Sequence, residues 1–152
     1  MDFPIVDVFD DALSEAWLQK HFHPQGLQCP SCGATVKEAR RFRHAKRSRV
    51  TIQRCRNCET IYNVYSGTIF AGKQLRPAQV LLLLRGVCKG ETTACLAREL
   101  GLAYDTVHHL RQQIQVRAVK AQPRTPLPDV VAETDEMFQN AGEKRRKAQG
   151  SK

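Results

Sequence analysis

At 152 residues the chain has room for one ordinary domain or two small modules, and 41% hydrophobic residues with a mean hydropathy of -0.45 fit a soluble globular protein. The longest strongly apolar run, Val80 to Leu84, is far too short to cross a bilayer, and the acidic N-terminus lacks the basic region of a secretory signal. A cytoplasmic protein without a membrane partner is therefore expected, with its six cysteines as reduced thiols and metal ligands rather than a disulfide framework.

The net charge of +9 is unevenly spread. Residues 1–20 carry -4, residues 21–58 carry +8, residues 59–142 carry +1 and residues 143–152 carry +4. A basic block this dense suggests a polyanion, because Lys and Arg gain by releasing counterions from a phosphate backbone. A solvated, self-repelling loop has the same pattern.

Asp10 and Asp11 are candidate caps for a first helix through about His21, with Leu13, Ala16 and Trp17 on one face. That helix is expected to pack on the module that follows. Cys29-Pro-Ser-Cys32-Gly33 and Cys55-Arg-Asn-Cys58 are two Cys-x-x-Cys pairs separated by 22 residues, the spacing of a four-thiolate zinc site. Pro30 and Gly33 suit a tight knuckle that turns backbone N–H groups toward sulfur. His21 and His23 are near enough to compete as ligands, although four cysteines already complete the coordination. A redox dithiol would need one pair opening a helix in an alternating strand and helix pattern, whereas both pairs sit among turn and strand signals.

Thr35-Val36, residues 49–54 and residues 60–65 are the expected strands of a small zinc ribbon over 29–70, with residues 40–47 as a basic hairpin region. So small a ribbon should be unfolded without its metal. Arg40, Arg41, Arg43, Lys46, Arg47 and Arg49 are its candidate phosphate contacts.

Pro77 opens a helix to about Lys89, bounded by Gly90, with Val80, Leu81, Leu84, Val87 and Cys88 available for burial. Thr92 or Thr93 caps the next helix. Ala97 stands four residues before Gly101, and Leu96, Leu100, Leu102, Val107 and Leu110 supply apolar positions, the pattern of a helix-turn-helix over 75–120. Tyr104, Asp105, Thr106, His108, His109 and Arg111 then occupy the exposed start of the second helix of that pair, where side chains can reach bases or phosphates. A helical hairpin that binds protein or another subunit shares the pattern. Cys88 and Cys95 lack ligand spacing and read as small core residues.

Pro123, Pro126 and Pro128 mark an extended linker over 121–129. Residues 130–152 open with a strand in which Glu133 and Asp135 share a face, the pattern of an edge strand or of a metal site. The expected class is thus α+β: an N-terminal helix and lead-in over 1–28, a β ribbon, an all-α module, a linker and one further strand.

The order of these motifs, with Tyr65-Ser-Gly-Thr-Ile-Phe70 and Glu133-Thr-Asp-Glu-Met-Phe-Gln-Asn-Ala-Gly142, resembles bacterial insertion-sequence transposases with an N-terminal zinc ribbon. The resemblance implies recognition of double-stranded DNA at the terminal repeats of a mobile element. It also implies a DDE-type catalytic domain of ribonuclease-H-like fold, whose first acid matches Asp135. Strand cleavage and transfer there would use Mg2+ or Mn2+ held by several carboxylates. After Glu136 only Glu143 remains, so the expectation is the DNA-binding portion of a transposase, truncated and not catalytic alone, with homo-oligomers confined to a full-length form. A stand-alone DNA-binding regulator and a zinc-stapled protein-interaction module are the competing readings.

Overall fold

Asp10 starts the first helix. Its carboxylate accepts from the backbone N–H of Ala12 at 2.6 Å and of Leu13 at 3.0 Å, satisfying donors that a helix start leaves open. In the computed structural model, which describes residues 5–122, this helix, α1, runs Asp11–Phe22. It buries Ser14 and Leu18 rather than the expected face, and leaves Leu13 74% and Trp17 42% exposed. Asp11, Ser14, Glu15, Leu18 and Phe22 follow helical spacing along the inward side. Half of that side is polar, because Asp11 pairs with Arg76 and Arg49, and Glu15 accepts from Thr51. Hydrophobicity alone therefore points to the wrong face. The helix packs on α2 (Pro77–Lys89), with Glu15 as its link to the sheet.

The sheet is antiparallel in the order β1 (Ala39–His44), β2 (Thr51–Cys55), β3 (Ile61–Tyr62). The basic stretch expected as a hairpin region is mostly strand β1 itself, and the turn lies beyond it, closed by Ala45 N–H to Val50 O and Arg49 N–H to Ala45 O. The expected strand at Thr35-Val36 is one bridge, Gln28 with Thr35, before a 3-10 turn over Val36–Glu38. Strand β3 stops early because the Asn63 side chain takes the N–H of Tyr65 at 2.9 Å, while Ser66 Oγ takes that of Asn63 at 3.0 Å.

Helix α2 has Pro77 in its first turn and ends at Gly90 in the left-handed region. Helix α3 (Thr93–Leu100) is capped by Thr92 Oγ1, and Gly101 at φ 62° turns the chain into α4 (Tyr104–Ala121). Of the side chains expected inside on α2, Val80 is buried and Leu84 and Val87 are partly so, but Leu82 and Leu83 lie deeper than Leu81, and Cys88 is exposed. Both α1 and α3 pack on α2, so its buried positions serve two neighbours rather than one apolar stripe. Cys95 is half-buried.

One core holds Leu18, Val50, Val64, Tyr65 and Phe70 together with Leu83, Leu96, Leu100, Val107 and Leu110. Each such side chain contributes about 1.5–3 kcal/mol of transfer free energy. The hairpin turn is thus planted in the helical core. Tyr65 Oη donates to Leu75 O at 2.9 Å within it. A separate small cluster, Leu27, Cys29, Ala34, Cys55 and Tyr62, occupies the cysteine end of the sheet. The linker expected over 121–129 begins one residue too early, since Ala121 still belongs to α4; its residues from 123, and the expected strand with Glu133 and Asp135, lie outside the described residues.

Candidate metal centre and basic surface

The two cysteine pairs sit in matching loops. Cys29 N–H donates to Ala34 O at 2.8 Å and Cys55 N–H to Thr60 O at 2.9 Å, so each loop is closed between residues i and i+5. The residue after each second cysteine is left-handed: Gly33 at φ 73° and Glu59 at φ 61°. Glycine takes that conformation freely, and Glu59 takes it while paired to Arg54.

Sulfurs from the two loops interleave, with Cys29 Sγ 3.4 Å from Cys58 Sγ and Cys32 Sγ 3.5 Å from Cys55 Sγ. All four lie within 4.8 Å of one another. A tetrahedral ion with metal–sulfur bonds of about 2.3 Å needs sulfurs about 3.8 Å apart, so the four cysteines can hold a metal ion. Their protonation is uneven. At Cys32 the Ala34 backbone pulls the thiol down, but the Cys58 and Cys55 thiols outweigh it and push it up to about 12. Thr60, through its side chain and backbone, lowers Cys58 to about 6. Thiols this close cannot all ionise unless a cation joins them. The histidines are engaged elsewhere: His21 Nδ1 donates to Trp17 O at 2.8 Å and its ring stacks on Trp17, while His23 Nε2 donates to Val64 O at 2.9 Å.

The candidate phosphate contacts divide between two sides of the sheet. Arg41 and Arg49 border a hollow against α1, where Asp11 neutralises Arg49. Arg43, Lys46 and Arg47 border another, which ends at Gln74; Arg47 donates to Gln74 Oε1 at 3.1 Å. Arg40 is exposed on β1.

Gln74 also lines the next hollow, with Lys73, Asp105, Thr106 and His109. His109 in turn lines a third, with Ile69, Gln112, Val116 and Arg117. Neighbouring hollows thus share Gln74 and then His109, from the hairpin turn to the middle of α4. Tyr104 stacks with His108, ring centroids 6.0 Å apart, and Gln112 and Gln113 hydrogen-bond His108 and His109. Arg111 is half-buried and donates to the backbone carbonyl of Glu91, which ties α4 to the turn before α3. Lys73 and Gln74 were not legible as lining residues, since loop 71–76 carries no motif and only the tertiary arrangement brings it beside α4.

No family model, curated protein or solved structure matches this chain. Among the described residues no helix is long and apolar enough to cross a membrane.

Proposed function

We propose that residues 5–122 bind double-stranded DNA as the recognition part of a transposase acting at element ends. In this reading the ion between the cysteines is zinc, and β1–β3 form a zinc ribbon that supplies phosphate contacts. The α3–α4 pair is the helix-turn-helix, with Tyr104, Thr106, His108 and His109 at the start of its recognition helix. Four thiolates leave no coordination position for water, so the zinc is structural. Chemistry with Mg2+ or Mn2+ is assigned to Asp135 and a DDE-type domain, not to the ribbon or the helices.

The observation that carries the reading is the pair of hollows adjoining at Gln74, one bordered by Arg43, Lys46 and Arg47 and the other by Lys73, Thr106 and His109. Cations able to meet phosphates thereby lead directly to hydrogen-bonding side chains at a helix start, the two classes of contact that position and specify. Among the described residues Asp105 is the one acid bordering these hollows.

The test is binding of the zinc-loaded chain to duplex DNA by fluorescence anisotropy across a salt series. Affinity should fall steeply between 50 and 200 mM salt, and Lys46→Ala or Lys73→Ala should each reduce the salt slope by about 1. Thr106→Ala with His109→Ala should flatten any preference for element ends over random duplex. A salt-independent affinity would overturn the proposal. The exposed Leu13 and Trp17 on α1 favour a second reading, a protein-interaction module, which predicts no DNA binding in the same experiment.

A further inference from the structure

Strand β1 holds an irregularity that the DNA reading does not use. Arg41 pairs with Gln53 and Arg43 with Ile52, so one residue, Phe42, is extra on this edge strand: a β-bulge. In regular pairing Arg41 and Arg43 would share a face. Instead Arg41 borders the hollow against α1 together with Gln53, whereas Arg43 borders the hollow of Lys46 and Arg47 together with Ile52. The bulge moves Arg43 to the cationic side. It also opposes Phe42 and Arg43 jointly to Ile52, and the Arg43 guanidinium lies over the Phe42 ring at 5.6 Å from its centroid.

Phe42 is 44% exposed, although Tyr62, Tyr65 and Phe70 are all buried. Phe42 stands with nearly half its surface in solvent on a strand whose other members are Ala39, Arg40, Arg41, Arg43 and His44. An aromatic face backed by a guanidinium and flanked by cations has the chemistry of a nucleobase platform: the ring stacks on a base, and the cations hold its phosphates.

We propose that Phe42, with Arg43 packed over it, stacks on an unpaired base of the DNA that this unit binds. The inference rests on the DNA reading and adds to it that the preferred ligand contains an unpaired segment beside the duplex. The experiment compares the zinc-loaded chain on two fluorescein-labelled DNAs of one sequence, one fully paired and one carrying a short bubble.

The bubble should bind more tightly. Phe42→Ala should remove about tenfold of affinity on the bubble and less than about twofold on the paired duplex. Phe42→Trp should keep the bubble affinity, and Phe42→Leu, which retains bulk without a π face, should not. Zinc stoichiometry and circular dichroism of each variant check that the exposed position leaves the fold unchanged. Equal losses on both DNAs, or full activity of Phe42→Leu, would overturn the stacking role while leaving duplex recognition in place. Absence of binding to either DNA would overturn both proposals.

Discussion

Leu13 and Leu18 are five residues apart on α1, and the fold treats them oppositely: Leu18 is fully buried in the shared core and Leu13 stands in solvent. Leu18→Ala should cost about 3 kcal/mol, since it removes packed atoms and leaves a cavity. Leu13→Ala should stay within about 0.5 kcal/mol. Urea unfolding of the metal-loaded protein measures both, and equal effects would contradict the observed face. Asp11 decides that face. It is 13% exposed on its side chain, holds Arg76 Nε at 3.0 Å and Arg49 at 3.3 Å, and accepts from Ala78 N–H. Asp11→Ala leaves the partly buried Arg76, among the described residues, with exposed Asp7 alone for an ion-pair partner, so a loss of about 2–3 kcal/mol is expected in the same assay.

At the scale of elements, the helix ends were legible because capping is local chemistry. Asp10, Thr92, Pro77, Gly90 and Gly101 each act within a few residues of themselves, and each lies where the chain's own pattern put it. Close approach between helices is not local. A Cβ on Gly86 would stand 2.2 Å from Leu96 Cδ2 and 2.9 Å from Glu91 Oε2, so α2 and α3 meet at a glycine that no motif marks. Gly86→Ala should therefore destabilise by about 1–3 kcal/mol through overpacking, read as a lower urea midpoint with unchanged zinc content. A neutral result would mean that Leu96 can move aside without loss. Helix α4 shows the same division: its start follows from Gly101, whereas the use of Arg111 to hold Glu91 O depends on where α4 lies.

Across the whole unit the cysteine cluster and the helical core are separate, yet the sheet belongs to both. The hairpin turn contributes Val50 to the main core, and Leu27, Cys29, Ala34, Cys55 and Tyr62 surround the sulfurs at the other end. Metal loss should accordingly be local. Metal binding by four thiolates supplies on the order of 10 kcal/mol, but α2, α3 and α4 draw on the other cluster. After chelation, amide exchange should become fast around residues 27–36 and 53–62 while the helices keep their protection and most far-UV signal. This narrows the expectation of a ribbon wholly unfolded without metal. Cys55→Ser should show the same exchange pattern, and under the proposed DNA reading it should weaken DNA affinity, because β2 pairs with the strand bearing Arg43. Cooperative loss of all helices on chelation would contradict the two-cluster description.

The residue pattern was sufficient for the two Cys-x-x-Cys loops, the helix boundaries and the basic block, because spacing, caps and charge are properties of a few consecutive residues. The inner face of α1, the meeting point at Gly86, the placing of Lys73 and Gln74 beside His109 and the bulge at Phe42 came from contacts between segments far apart in the chain. Each of these depends on which neighbour arrives. A half-polar helix face buries only if arginines from elsewhere meet its acids, and a strand bulges only against a partner strand one residue shorter.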